Sequence, residues 1–319
     1  MSDAAVREAL ALWGGSDCAP RLISHRENAV YEVELPSGRA ALRLHRVGYR
    51  SAAEIRSELS WTEALVERGF VAPTPVRALD GSMVLGLGSG QLVSVISWME
   101  GTPIGAVGVP LVGSAEDQAA LYHGVGGMLA RLHNVTDALE LREGFTRPRW
   151  DCAGLTGPGP LWGRYWEAPG LSGTEVALIV AARDRARARL AEFDAEADCG
   201  LIHADALREN VFRTGKGLAL IDFDDSGFGY RMYDLASSVT QAVDDAAYPE
   251  IVDGLLDGYA AERPLAVAAR DLFQMFAMLR AFSAVGWTIP RVAANDPKLA
   301  IYRRRALSAA EGFLGRQDK

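Results

Sequence analysis

The period of the apolar positions changes about a third of the way along the chain. Val6, Leu10 and Trp13 recur at helical spacing, which predicts an amphipathic helix over residues 3–13. From Ala29 to Leu35 apolar and polar residues alternate, Pro36-Ser37-Gly38 offers a turn, and Arg39 to His45 returns as the partner strand of a hairpin. Ser51 with Glu54 three residues later is a capping-box signature. It opens a helix that carries Ile55, Leu59, Leu65 and Val66 on its apolar side and stops at Gly69. After the breaks at Pro73 and Pro75, strands over Ser82–Leu87 and Gln91–Trp98 are joined by Gly88-Ser89-Gly90. Residues 20–98 are therefore expected to form a small, mostly antiparallel sheet with one inserted helix.

Gly101 to Gly113 has glycine and proline but no period. Beyond it helical patterns dominate, over 115–134, 173–196, 232–243, 248–262, 266–289 and 296–314. A short strand-rich insert, 200–230, separates the second from the third. The expected fold class is α+β and bilobal. A β-rich N-terminal lobe (1–100) with one inserted helix precedes a larger, mostly helical C-terminal lobe (101–319).

Composition narrows the function classes. Hydrophobic residues make up 49% of the 319 and charged residues 23%, enough apolar material for two modest cores. The net charge of −8 repels polyphosphate backbones and anionic bilayers, so neither nucleic acid nor membrane is an expected partner. It suits a cationic substrate, and it also simply keeps a protein soluble. Cys18, Cys152 and Cys199 are far apart and without CxxC spacing, which speaks against a disulfide framework and a zinc site and for a reducing cytoplasm. No secretory leader follows Met1, and no apolar run reaches the roughly 18 residues that span a bilayer.

The insert carries the candidate chemistry. Leu201-Ile202-His203-Ala204-Asp205-Ala206-Leu207-Arg208-Glu209-Asn210 places an Asp and an Asn five residues apart in a loop between apolar runs. Leu220-Ile221-Asp222-Phe223-Asp224-Asp225 follows, with Asp222 seventeen residues past Asp205, directly after an apolar strand. Phosphoryl transfer needs mainly positioning and charge neutralisation. One carboxylate must hold the acceptor hydroxyl, while an amide and a second carboxylate hold Mg²⁺ through oxygen. Asp205, Asn210 and Asp222 offer those groups in that order. Read without this chemistry, Asp205 and Asn210 are ordinary loop formers. The acidic run Asp222, Asp224, Asp225 lacks the spacing of an EF-hand.

His-x-Asp-x-x-x-x-Asn followed by Ile-Asp-Phe-Asp-Asp resembles the aminoglycoside phosphotransferase, choline kinase and homoserine kinase group, small-molecule kinases with the protein-kinase fold. Gly227-Phe228-Gly229-Tyr230-Arg231-Met232-Tyr233-Asp234-Leu235-Ala236 resembles that group's lead into the next helix. The resemblance implies that Asp205 is the catalytic Asp and that Asn210 and Asp222 ligate Mg²⁺. It implies that His203 packs beneath the loop and that Asp234 accepts hydrogen bonds from the loop backbone. Asp224 and Asp225 either assist the metal or face substrate. Arg43 stands where the group places a strand lysine on the ATP phosphates, with Glu58 as its ion-pair partner. Backbone groups near Trp98 and Glu100 meet adenine, and Asn28 lies in the turn over the phosphates. ATP and Mg²⁺ are the implied cofactors. The implied acceptor is a small amine-bearing alcohol: an amino alcohol, a hydroxy amino acid or an aminoglycoside.

The chain departs from the group's pattern in having Arg43 for lysine, Ala204 for glycine, Ala206 for a larger apolar residue, and no glycine from Ser24 to Tyr31. Two other readings stay open. Glu27-Asn28-Ala29-Val30-Tyr31 resembles the early strand turn of bacterial stress-response serine/threonine protein kinases, and Arg43 would suit an ATP-binding pseudoenzyme. His123 and His133 read as packing or helix-end residues. Trp150, Trp162, Tyr165 and Trp166 read as packing, or as an aromatic wall for a substrate amine. The alternate arginines from Arg183 to Arg189 read as a solvated face, and no GxxxxGK[ST] or strand-borne GxGxxG is present.

Overall fold

The computed structural model describes residues 3–15, 19–25, 28–193, 198–265 and 269–315. The chain divides into two units. The first comprises Met1–Thr102, Ala138–Arg147 and Phe212–Asp224; the second comprises Pro103–Asp137, Pro148–Val211 and Asp225–Lys319.

In the first unit, helix α1 (Asp3–Leu12) precedes β1 (Arg21–His25), β2 (Ala29–Leu35) and β3 (Gly38–Leu44). Helix α2 (Ala52–Glu67), β4 (Pro75–Val76), β5 (Val84–Gly86) and β6 (Leu92–Ser97) follow. The sheet order is β1-β2-β3-β6-β4, with β5 also on β6, and every pairing is antiparallel. Val6, Leu10 and Trp13 bury their apolar stripe in the core with Leu42, Leu44, Val93 and Val95. The Trp13 indole N–H donates to the Val76 carbonyl at 2.8 Å. Ser51 and Glu54 form the full capping box of α2, and Gly69, at φ +87°, takes the left-handed conformation that ends the helix run. Strands β1 and β4 were not legible in the sequence. The prolines at 73 and 75 read as breaks, yet Pro75 sits at an edge of the sheet, where its missing N–H costs no ladder bond.

The junction carries β7 (Thr102–Pro103). Downstream come α3 (Ala115–Asp137), β8 (Arg149–Trp150), α4 (Cys152–Thr156), α5 (Gly173–Phe193), β9 (Cys199–Ile202), β10 (Val211–Thr214), β11 (Gly217–Leu220), β12 (Gly227–Tyr230), α6 (Arg231–Val239), α7 (Tyr248–Glu262), α8 (Ala269–Thr288) and α9 (Pro297–Gly315). The six long helical patterns thus appear as helices, the third ending in a 3₁₀ turn, Thr240–Ala242. The short α4 and β8 have too few residues to show a period. Residues 212–224 join the first unit through the Leu220 N–H, which donates to the Val71 carbonyl at 3.3 Å. Phe223 also packs edge-on against Trp61, ring centroids 5.3 Å apart.

In the second unit β12 pairs antiparallel with β9 and parallel with β8. Helices α3 and α7 approach closely because glycine faces backbone at three points. A Cβ would lie 2.0 Å from the Leu255 carbonyl oxygen at Gly126, 2.3 Å from that of Ala119 at Gly254, and 2.0 Å from that of His123 at Gly258. Backbone cannot yield as a side chain can. We expect Gly258→Ala to lower stability by about 1–3 kcal/mol, the range for overpacking, read as a shift of the urea midpoint at unchanged slope. Among the described residues no helix is long and apolar enough to cross a membrane.

Candidate active site

The loop between β9 and β10 is anchored from below. Asp234, fully buried on α6, accepts the His203 N–H at 2.8 Å and the Ala204 N–H at 2.5 Å. His133 on α3 braces the same carboxylate at 3.1 Å and meets the Tyr259 hydroxyl at 2.8 Å. Burial holds the His133 pKa below its ordinary value despite Asp234, so it serves as a packed, hydrogen-bonded neutral ring. His203 is buried beneath the loop and its Nδ1 accepts the Asp205 N–H at 3.3 Å. Ala204 adopts φ +66°, a left-handed conformation that glycine takes without strain. Arg208, buried within the loop, reaches the Tyr122 hydroxyl (3.3 Å), the Val109 carbonyl (3.3 Å) and Asp245 (2.7 Å).

On this frame both oxygens of the Asp205 carboxylate are engaged. Oδ1 accepts from Arg280 Nη2 of α8 at 2.7 Å, and Oδ2 accepts from Asn210 Nδ2 at 3.2 Å. The same Asn210 amide donates to the Asp205 carbonyl at 2.9 Å. Burial first, with Asp225 and Glu209 adding to it and Arg280 opposing, pushes the Asp205 carboxyl up to about 7. Asp225 also accepts the Trp150 indole N–H on its backbone carbonyl at 2.8 Å.

The first unit holds a second buried charge cluster. Arg43 on β3 donates to Glu58 of α2 at 2.6 Å and to Asp224 at 3.3 Å; all three are nearly fully buried. Arg147 donates to the Phe223 and Asp224 carbonyls at 3.1 and 2.5 Å and lies 3.8 Å from Glu58. Burial opposes the ionised form of Asp224, but Arg43, Arg50 and Arg147 outweigh it and hold its carboxyl below the usual range. Burial likewise works against charge on Arg43, and Glu58 and Asp224 more than offset it. Asp224, left open by the sequence between metal and substrate, is thus a carboxylate partner of Arg43. Asp222, two residues earlier, adopts φ +63°, an uncommon region that Asp tolerates better than most residues. Asn28 accepts the Arg46 N–H at 3.3 Å. The Trp98 N–H donates to the Arg39 carbonyl at 3.3 Å, and the Arg39 side chain covers the Trp98 ring and pairs with Glu100 at 3.1 Å. Glu27 lies outside the described residues, as does Cys18.

Residues 20–268 match the profile described as APH, the phosphotransferase enzyme family. The chain belongs to that family. A homoserine kinase of Chelativorans sp. (strain BNC1) is 30% identical over 274 residues, covering 83% of this chain and 77% of the relative. An uncharacterized protein of Deinococcus radiodurans is 30% identical over 294 residues, covering 88% and 80%. Among solved structures, a microcompartment-associated aminopropanol kinase is 28% identical with a TM-score of 0.87, covering 99% of this chain and 98% of the other. An amicoumacin kinase in complex with AMP-PNP and Ca²⁺ shares the fold at 19% identity and a TM-score of 0.78, covering 96% and 93%. The fold is protein-kinase-like α+β, and the chain is an ATP-dependent phosphotransferase with an alcohol group of a small molecule as acceptor.

Two groups of residues in the phosphotransferase read differently once placed. The aromatic cluster is mainly packing. Trp150 stacks on Tyr233 and meets Trp162 edge-on, with centroids at 5.3 and 4.9 Å, and Tyr165 packs on Trp166 and Phe282. Its cations are internal: Arg280 lies over Trp162 at 4.9 Å and Arg183 over Trp166 at 4.5 Å. Arg183 therefore belongs to this stack rather than to a wholly solvated face, whereas Arg187 and Arg189 are exposed. Arg280 is the site residue that sequence reasoning missed. It stands 75 residues beyond Asp205 on an apolar helix, with no motif around it.

Proposed function

We propose that the acceptor is the hydroxyl of a small amine-bearing molecule, an amino alcohol or hydroxy amino acid in preference to an aminoglycoside, and that Asp205 receives that hydroxyl. The observation that carries this reading is the Asp205 carboxylate, half-buried and engaged on both oxygens by Arg280 and Asn210. A carboxylate already paired with a guanidinium is a poor counter-ion for a substrate ammonium. It remains a good hydrogen-bond acceptor for a hydroxyl, because each oxygen keeps a second lone pair. The aminopropanol kinase and homoserine kinase relatives favour a compact acceptor.

In this reading Arg43, held by Glu58, grips the phosphates of ATP. Arginine keeps the charge of the usual lysine and adds a planar fork suited to phosphate. Asn28 lies over the phosphates, and the backbone near Trp98 and Glu100 meets the adenine. The donor set fits a hard divalent cation. Asp222 and Asn210 would both offer oxygen, the donor atom that such a cation takes. Mg²⁺ is the ion that needs only one or two protein oxygens, since it keeps waters and substrate phosphates as its other ligands. When bound, it supplies charge neutralisation on the transferring phosphoryl group. Asp205 orients the acceptor oxygen and takes its proton as the new bond to the γ-phosphorus forms and the bond from that phosphorus to the bridging oxygen breaks, releasing ADP.

ADP release measured with Mg-ATP against aminopropanol, ethanolamine, choline, homoserine, an aminoglycoside and a generic protein substrate tests the proposal. We expect stimulation by aminopropanol or homoserine. Stimulation by the protein substrate alone would replace this reading with the protein-kinase one.

A further inference from the structure

We propose that Arg280 is the positioning residue of the phosphotransfer site: a buried guanidinium on α8 that fixes the Asp205 carboxylate in the orientation the acceptor hydroxyl requires. The proposal rests on the reading of Asp205 given above, and it adds a residue that no catalytic-loop motif contains.

Three anchors hold the loop, and they do different things. Asp234 ties down the backbone at His203 and Ala204 but does not touch the Asp205 side chain. Asn210 reaches both the carbonyl and Oδ2 of Asp205, the latter at a long 3.2 Å. Arg280 supplies the short contact, 2.7 Å to Oδ1, and its side chain is only 4% exposed. Both bonds end on a carboxylate, but Arg280 makes the shorter one and alone brings a full opposite charge, so it has the larger share in setting the carboxylate torsion.

The guanidinium is itself held against rotation. Its Cζ lies over the Trp162 ring, 4.9 Å from the centroid, and Trp162 packs edge-on against Trp150. Tyr233 of α6, Tyr302 of α9 and Asp225 are near enough to favour its charge electrostatically. Its Nε is buried with no hydrogen-bond partner. Nη2 points at the Asp205 carboxylate, so the packing that holds the guanidinium also fixes the orientation of Asp205.

The test has two arms. Hydrogen–deuterium exchange of the free enzyme needs no acceptor. In Arg280→Gln we expect segment 203–211 to exchange at least about tenfold faster, with α3 and α7 unchanged, because a charged anchor has been lost from a local opening unit. Identical exchange in that segment overturns the proposal. The kinetic arm uses whichever of aminopropanol or homoserine the wild type phosphorylates. Arg280→Ala should lose on the order of 100-fold in kcat, the scale of a misplaced reacting group, with KM for ATP unchanged. Guanidinium ion at tens of millimolar should restore part of that loss by entering the vacated space, and Arg280→Lys should be intermediate because it keeps charge but not the fork. A loss that appears in KM for ATP, or one that guanidinium does not relieve while the melting temperature matches wild type, overturns the proposal. A wild type inactive on every acceptor counts against the functional reading alone, and the exchange arm then decides on Arg280.

Discussion

Asp205→Asn is expected to lower kcat by about 10²–10⁴-fold, the usual contribution of a positioned general base, while the dissociation constant for ATP stays within about twofold of wild type. Asparagine keeps the shape of the side chain and can still accept from Arg280, so the loop has no reason to collapse. What is lost is the negative charge and the ability to take a proton. Nucleotide affinity is expected to survive because the group assigned to the phosphates, Arg43, lies with its partner Glu58 in the other unit. Rapid-quench turnover together with equilibrium binding of a non-hydrolysable ATP analogue measures both quantities. A variant that turns over at the wild-type rate would remove Asp205 from the mechanism. The pH dependence follows from the same group. With its carboxyl pushed up to about 7 by burial, and further by Asp225 and Glu209, Asp205 is increasingly ionised as pH rises through that value. The competent form is the carboxylate, so wild-type kcat/KM, which reports the free enzyme, should rise with pH across neutrality and lose this limb in Asp205→Asn.

Arg43→Met should be the most destabilising single change in the first unit, by about 3–5 kcal/mol, because it strands buried charge. Glu58 and Asp224 are 1% and 4% exposed, and Glu58 Oε2 and Asp224 Oδ2 are already without hydrogen-bond partners. Arg147 remains, at 3.8 Å from Glu58, too far to replace the 2.6 Å contact. Denaturant unfolding followed at Trp61, which packs on Phe223 beside the cluster, reports this unit. Arg43→Lys should recover part of the loss, since it keeps the charge but can no longer bridge two carboxylates as a fork. An unchanged midpoint in Arg43→Met would mean that the cluster contributes nothing net to stability.

How much of this was legible in the sequence depended on how locally each feature is encoded. Helices α2, α3 and α7 and the β2–β3 hairpin announce themselves through period and turn chemistry within a dozen residues. The loop from His203 to Asn210 and the Asp222 segment are likewise compact signals. The two-residue β4 was hidden behind its own proline. Arg280 and Arg147 were not legible, because their meaning comes from where α8 and the segment after α3 lie in space. Nothing in the neighbouring residues distinguishes them from surface arginines. Arg183, read as solvated, is covered by Trp166 for the same reason.

The first unit closes only when distant chain segments arrive, and this has a consequence for biosynthesis. Its sheet and α2 are complete by Thr102, but the charge cluster around Arg43 and Glu58 also draws Arg147 and Asp224 from later in the chain. A ribosome adding about 5–20 residues per second takes on the order of ten seconds to travel from Thr102 to Asp224. During that interval the nascent sheet carries Arg43 and Glu58 without their remaining partners, and Val71 and Trp61 lack the strand and ring that cover them. The N-terminal segment therefore cannot mature ahead of the rest. Its final packing is post-poned until nearly three-quarters of the polypeptide has emerged, so a chain stalled before Asp224 would present this sheet to chaperones and proteases in an unfinished form.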